Sequence, residues 1–361
     1  MNRESKRSLL ISKENHFKQN KIKCYYCYLV IFQQILIFYL LFFFINYFSK
    51  QFHDNQNIFN QSYTKIYLQH KLDYENNIFA IMRRPCKLCG LFSYYKVFLS
   101  CIQKYIIKGF IPILEVETYP NVFNGFKANI SKKNPWEYFF DQPFGYTFEK
   151  VIKNAKKIKY IDCKRDNNTP QYTNFYLNKI KIDFWHDIAI KYIPIKYNII
   201  KDTNNIMNKL FKNSKNILGV LIRGTDYIAK KPKGHPIPPS TKRVIKDIRK
   251  MDNINKYNNI FLTTEDYSIR EKLINEFGDK LKYILPNKNI IYNYKKKIFL
   301  SYNKNIKGDL DNLKIYLMNI LILSKCIDII ACRTNGSVGA YIFTQGYRNS
   351  LIYYLGLYQK K

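Results

Sequence analysis

Acidic side chains are scarce in this chain: 26 Asp and Glu stand against 60 Lys and Arg over 361 residues, a formal charge of +34. Glycine and proline are also few, at 13 and 12, which excludes collagen-like and Pro/Gly-rich low-complexity classes. The five histidines are dispersed, and the Cys86-Lys-Leu-Cys89 spacing lacks the second pair that a four-ligand zinc site needs. No zinc-finger, RRM or helix-turn-helix signature accompanies the positive charge, and the lysines lie singly within apolar segments, so no nucleic-acid partner is expected. No solenoid repeat is visible. What is present is apolar material, 47% hydrophobic and 17% aromatic. That is enough for one large or two ordinary domains of about 100–200 residues each.

Residues 24–48 carry no charged side chain, and Leu29, Ile31, Ile35, Leu36, Phe38, Leu40 and Phe44 recur through them. As a helix the run extends about 37 Å, more than a hydrocarbon core of about 30 Å. Tyr25, Tyr26, Tyr28 and Tyr47 sit near its ends, as interfacial aromatics do. The run is too long for a signal-peptide core and no small-residue cleavage site follows, so it reads as a single-pass anchor. Arg3, Lys6, Arg7, Lys13, Lys18, Lys21 and Lys23 precede it, whereas Lys50 and Lys65 are the basic residues of positions 49–68. The positive-inside bias puts residues 1–23 in the cytosol as a basic tail and the remainder in a lumen or periplasm, which is the Golgi if the cell is eukaryotic and the inner-membrane face if bacterial.

Residues 49–72 are polar and lack an apolar period, as a stem would. The pattern then predicts a strand at 77–82, a helix at 92–105 and a strand at 111–116, a βαβ unit. Residues 121–201 read as less regular. A second alternation starts with the apolar run 217–222, a strand covered on both faces. A loop at 223–239 follows, then a helix from an N-cap at Ser240 through Met251, and a strand at 259–264. Helix at 266–277 closes on Gly278. Helix 310–324, strand 327–331 and a helix starting at 336 complete the series. Two α/β halves are implied, an N-terminal domain at 73–205 and a C-terminal one at 206–361.

Three short motifs fall at strand ends of the second half. Arg223-Gly-Thr-Asp226 leaves the strand 217–222; the guanidinium fork matches phosphate oxygens, Gly224 permits close backbone approach, and Asp226 either orients Arg223 or accepts a proton. Glu265 and Asp266 follow the next strand, where a carboxylate suits a ribose hydroxyl or a purine N–H, or caps the following helix. Thr334-Asn335-Gly336-Ser337 opens a helix after the strand 327–331, and such a hydroxyl-rich helix start cradles phosphate. Together they describe a nucleotide pocket. Asp309-Leu310-Asp311 copies an Asp-x-Asp metal motif but precedes a helix and reads as capping, so no metal site is assigned.

These segments resemble the GT-B fucosyltransferase-like enzymes, which include the nodulation-factor and core α1,6-fucosyltransferases and the protein O-fucosyltransferases. The resemblance runs through Leu221-Ile-Arg-Gly-Thr-Asp226, His235-Pro236-Ile237, Phe261-Leu-Thr-Thr-Glu-Asp266 and Thr334-Asn-Gly-Ser337-Val-Gly-Ala. It covers residues 217–345, and Gly90-Leu-Phe-Ser93 and Pro135-Trp-Glu-Tyr-Phe-Phe140 look like segments of related bacterial glycosyltransferases. It implies an α/β fold of GT-B type, two Rossmann-like domains facing a cleft. It also implies a GDP-fucose or other nucleotide-sugar donor and a glycan acceptor. Arg223 would hold the β-phosphate, Glu265 with Asp266 would contact guanine or ribose, and residues 334–337 would help hold the diphosphate. The sequence departs from that pattern at Leu221, where the family often has His, at Tyr227, where a lysine often stands, and at Lys231, an acidic position in the core fucosyltransferases. Asp226 is then the candidate base by elimination. No cofactor or metal is implied, because preorganised Arg and backbone donors stabilise the leaving diphosphate themselves. Two other classes fit the same sequence. One is a glycan-binding protein of this fold without catalysis, and the other is a basic module that coats polyanions or anionic lipid.

Overall fold

The chain divides at Gln61 and Ser62 into two units. The computed structural model describes residues 33, 36, 72–87, 89–124, 133–172, 175–212, 214–285, 310–344 and 346–359, except for the side chains of Thr225 and Asp226. In the first unit, Met1–Gln61, the described residues are Gln33 and Leu36, both helical and exposed. The predicted basic tail, anchor and stem otherwise lie outside the described residues, Leu72 apart. Among the described residues no helix is long and apolar enough to cross a membrane.

The second unit is α/β, and among its described residues the strands form two parallel sheets. The first has the order β2-β1-β3, from β1 (Ile78–Arg83), β2 (Ile111–Leu114) and β3 (Lys157–Asp162). Helix α1 (Leu91–Ile106) connects β1 to β2 and α2 (Phe148–Asn154) precedes β3. β2 stops two residues short of the predicted end because Glu115 turns inward. Its carboxylate takes Arg83 Nε at 2.9 Å and the Thr118 hydroxyl at 2.9 Å. Phe79, Ile81, Ile111 and Ile113 pack with Tyr146 and Val151 on one face. β3, α3 (Lys179–Tyr192) and α4 (Tyr197–Phe211) correct the expectation of an irregular 121–201. β3 is an edge strand whose lysines point outward, and charged edges of this kind escape an apolar-run reading.

The second sheet has the order β6-β5-β4-β7-β8, from β4 (Ile217–Ile222), β5 (Asn259–Thr264), β6 (Leu281–Lys282), β7 (Asp328–Cys332) and β8 (Asn349–Tyr353). β4 is buried throughout, as its unbroken apolar run requires. Helix α5 (Thr225–Lys230) interrupts the stretch predicted as a loop, ending on Lys231 in the left-handed region. Ser240 caps α6 (Thr241–Asn255) by accepting Arg243 N–H. Asp266 likewise caps α7 (Tyr267–Phe277), which closes on Gly278 at φ +51°. α8 (Leu310–Ser324) and α9 (Asn335–Phe343) follow. α6 and α7 cover one face, burying Val244, Ile248 and Leu273 on Leu218, Val220, Ile260 and Leu262. α8 lies so close to the other face that a Cβ at Gly219 would stand 3.0 Å from Leu323.

Helices join the two sheets' surroundings. α9 packs on α1, α3 and α8, and Phe92 at the start of α1 fills the space a Cβ at Gly339 would need, 2.3 Å from its ring. This explains why α1 is buried from Leu91 to Ile102. One face serves the first sheet and the other serves α9.

Candidate functional site

β4 is the first strand of its sheet in sequence and stands in the middle. The chain leaves it through β5 and β6 on one side, then crosses back to β7 and β8 on the other. The crevice between the C-terminal ends of β4 and β7 is therefore a topological switch point, where open α/β sheets bind ligands. Leu221 is in register with Thr263 of β5 and Ala331 of β7. Arg223, Glu265 and Arg333 consequently leave the sheet at one level.

At this edge Arg223 Nε lies 2.7 Å from Glu265 Oε1, with both side chains mostly buried. The guanidinium sits 5.0 Å above the Tyr227 ring, which meets His235 edge-on at 5.2 Å. Glu265 leaves the neighbouring strand facing Arg223 and orients it, whereas the Asp226 side chain, expected to orient Arg223 or accept a proton, lies outside the described residues. Asp226 lies in the first turn of α5. Asp266 turns its carboxylate back to its own helix, accepting Ile269 N–H at 3.1 Å. It also fills the space beside Gly224, where a Cβ would stand 2.5 Å from Asp266 Oδ2. Steric pressure from the neighbouring strand end therefore demands glycine at 224.

The 334–337 turn is a capping box. The Thr334 side chain accepts Ser337 N–H and the Ser337 hydroxyl accepts Thr334 N–H. Ser337 is fully buried, and its hydroxyl also meets Cys332 O at 2.7 Å and the Tyr176 hydroxyl at 2.7 Å. Its contribution to a ligand is to set the turn. Tyr176 comes from the short helical turn Phe175–Leu177, on the chain segment ahead of α3. Burial raises its hydroxyl well above the ordinary value while the Ser337 hydrogen bond opposes the rise, so Tyr176 stays neutral. Gly336 admits the Tyr316 hydroxyl, 2.6 Å from where a Cβ would be. Tyr316 is pushed up to about 12 by desolvation, with the Arg223 charge lowering it and Glu265 raising it. The Cys332 thiol is likewise raised to about 12 by burial, with the Arg223 backbone and charge acting against the rise. Arg223, Glu265 and the 334–337 turn are therefore within electrostatic reach of one another around Tyr316 and Cys332.

Four neighbours escaped sequence reasoning: Arg333, Asn335 as an acceptor, Tyr176 and Tyr316. Arg333 is buried, lies 4.7 Å over the Tyr354 ring and reaches Gly356 O at 3.5 Å. Its Nε and Asn335 Oδ1 are buried without a hydrogen-bond partner among the described residues. Arg333 directly follows β7, and its place at a strand end is the signal that could have found it. Tyr176 and Tyr316 carry no local signal. A cavity of about 310 Å³ between α3, α4 and α8, lined by Ile193, Ile200 and Leu321, contains none of the site residues. Among the described residues no group of three or more His, Cys, Asp and Glu is arranged to hold a metal ion.

The chain is similar to solved fucosyltransferases. NodZ from Bradyrhizobium matches with a TM-score of 0.44 and 12% identity, over 74% of this chain and 93% of that one. POFUT1 in complex with GDP-fucose gives 0.43 and 9%, over 77% and 98%. A FUT1 mutant of Arabidopsis thaliana in complex with GDP gives 0.42 and 11%, over 80% and 73%. An uncharacterized protein of Plasmodium falciparum (isolate 3D7) is 26% identical over 215 residues, 59% of this chain and 12% of its own length. The chain thus matches only a small part of that relative. No protein-family model matches the sequence.

Proposed function

We propose that the protein is a membrane-anchored glycosyltransferase of GT-B type that moves fucose from GDP-fucose to a glycan hydroxyl without a metal. One observation carries the reading. Arg223, held by Glu265, and the 334–337 turn flank the switch-point crevice at one level of one sheet. Arg333 Nε and Asn335 Oδ1, without hydrogen-bond partners among the described residues at that turn, support a polar ligand there.

In this reading residues 206–361 bind the donor and 73–205 face the acceptor. As the C1–O bond to the diphosphate breaks, its electron pair leaves with the β-phosphate oxygen and C1 takes on oxocarbenium character. The acceptor oxygen closes on C1 and gives its proton to a base, for which Asp226 is the candidate. Arg223 and the N–H groups opening α9 meet the charge that develops on the diphosphate, and such preorganised donors stabilise a transition state by about 3 kcal/mol each. Glu265 and Asp266 border the nucleoside, and His235 extends that wall through Tyr227.

Residues 24–48 are the proposed anchor, with the N-terminus cytosolic. The Cys86–Cys89 and Cys101–Cys163 disulfides support an oxidising compartment for the catalytic part, a Golgi lumen in a eukaryotic cell. The test is incubation of the full chain in detergent with a panel of nucleotide sugars. Thermal stabilisation and turnover with GDP-fucose, and neither with UDP-sugars, is the expected outcome. Binding of GDP without turnover marks a glycan-binding protein of this fold. Absence of any saturable nucleotide binding overturns the reading.

A further inference from the structure

A second polar constellation lies beside the first sheet, outside the donor site. Lys96, on α1, is only 3% exposed. It makes no ion pair or hydrogen bond among the described residues, and its ammonium rests 5.5 Å from the Tyr172 ring. Two further cations stand around it. Arg84 follows β1 and is fixed by Ser93, whose carbonyl accepts from Nη1 at 2.6 Å and whose hydroxyl meets Nη2 at 3.1 Å. Its Nε is buried without a hydrogen-bond partner among the described residues. Arg165 is brought over α1 by the Cys101–Cys163 disulfide and by the hydrogen bond from the Ser100 hydroxyl to Asp166 at 2.8 Å.

The carboxylates close by are used elsewhere. Asp166 accepts from Ser100, from the Asn168 and Thr169 N–H groups and from the Thr169 hydroxyl. Glu115 is held by Arg83 and Thr118. Three cations, one of them buried, are thus drawn together by a disulfide and a hydrogen-bond frame, and among the described residues none of them pairs with a carboxylate. A buried ammonium is costly unless it is paired.

We propose that Arg84, Lys96 and Arg165 form a pocket for an oxyanion, a carboxylate, sulfate or phosphoryl group carried by the acceptor. Its rim supports that ligand. The Tyr172 hydroxyl touches Gly234 O at 3.5 Å, beside His235 of the donor-site wall. An acceptor anchored there by its anionic group is held next to the donor crevice. The acceptor as the source of the anion rests on the transferase reading, whereas anion binding itself does not.

Lys96 is pushed down to about 7, first by burial and then by the Arg165 and Arg84 charges. Arg84 is itself lowered to about 10 by burial. Lys96 also meets the Tyr172 ring, and Asp166, which is bonded to α1 at Ser100, is engaged by Ser100 and Thr169. Because the ammonium form is the one that pairs with an anion, affinity for the anion falls as pH rises through about 7.

The test uses the full chain in detergent with inorganic sulfate as the probe, against chloride at matched ionic strength. The variants are Lys96→Met, Lys96→Arg and Arg223→Ala. Wild type is expected to show a saturable rise in thermal midpoint with sulfate. Lys96→Met loses at least tenfold in sulfate affinity while still binding GDP, and its midpoint without sulfate is at or above that of wild type. Lys96→Arg retains the response. Arg223→Ala keeps the sulfate response and loses GDP. Equal responses in wild type and Lys96→Met, no saturable response in wild type, or loss of the response in Arg223→Ala overturns the pocket. Retention of GDP by Arg223→Ala overturns the donor-site reading instead. In transfer assays, a sulfated or uronate-bearing glycan is expected to outcompete its neutral analogue with wild type and not with Lys96→Met. Equal use of both by wild type shows that the anion is not the acceptor's and overturns that part of the proposal.

Discussion

Gly224 and Asp266, on adjacent strand ends, are in contact so close that a methyl group at 224 would overlap the Asp266 carboxylate and Cβ, at 2.5 and 2.6 Å. The Asp266 carboxylate also caps α7. Gly224→Ala must therefore displace Asp266 from Ile269 N–H. The loss is expected to be about 1–3 kcal/mol, the sum of a lost cap and local overpacking. Asp266→Gly costs little alone at an N-cap, and in the double variant it should recover most of the loss. A double-mutant cycle by denaturant unfolding measures that coupling.

Arg223→Ala removes the guanidinium that Glu265 orients. Transfer should fall by at least about 10²–10³-fold in kcat/KM, the loss of one preorganised oxyanion donor adding to the loss of GDP affinity. Arg223→Lys should recover little, since an ammonium lacks the planar fork. Steady-state kinetics with GDP-fucose and near-wild-type turnover in Arg223→Ala would remove the phosphate-clamp role.

Ser337 joins the capping box, Cys332 O and Tyr176 in one buried group. Ser337→Ala should cost about 2 kcal/mol by leaving buried donors and acceptors unpaired. GDP affinity should weaken along with it, because the turn loses its fixed shape. Tyr176→Phe should cost less, since Ser337 keeps its other partners. Unfolding midpoints and GDP titrations on both variants check the order.

Asp328 is fully buried at the opposite, N-terminal end of β7. It accepts from Arg348 Nη2 at 2.6 Å, from Asn349 N–H at 2.8 Å and from the Tyr257 hydroxyl. Burial acts to raise its pKa, but the hydrogen bonds from Arg348, Tyr257 and Asn349 outweigh it and hold the carboxyl below the ordinary value. A folded value below the unfolded one means that the stabilisation is complete above about pH 4 and is lost as pH falls through the folded value. Asp328→Asn should cost about 2 kcal/mol near neutral pH, since the Arg348 side chain is half exposed and can be hydrated. The variant should lack the wild-type decline in acid. Thermal melts across an acidic pH series separate the two.

Cys101 and Cys163 tie α1 to the end of β3 across a sequence separation of 62. Replacing both with Ser should cost about 2–4 kcal/mol, and it should weaken sulfate binding at Lys96 by releasing Arg165. The buried Cys326 and Cys332 thiols should stay unreactive towards a thiol reagent until the chain unfolds. Mass spectrometry of labelled native protein reads this directly.

Elements whose signal is local were legible in the sequence. β4 falls where its unbroken apolar run places it, β5 and α8 fall where their apolar patterns do, and the Ser240 and Asp266 caps follow from side chains that hydrogen-bond within three residues. The three motifs were legible for the same reason, because each is a short strand end read along the chain. Tertiary structure alone decided who meets whom. Glu265 meets Arg223 because a parallel register sets positions 223 and 265 side by side. The Tyr176 and Tyr316 hydroxyls arrive from segments distant in sequence, and Lys96 acquires its charged neighbours only when a disulfide folds 163–166 over α1. Hydrophobic periodicity and capping act over a few residues and leave a trace in composition. Pairing across a sheet or between helices acts between residues that share no local pattern, so it becomes visible only in the folded chain.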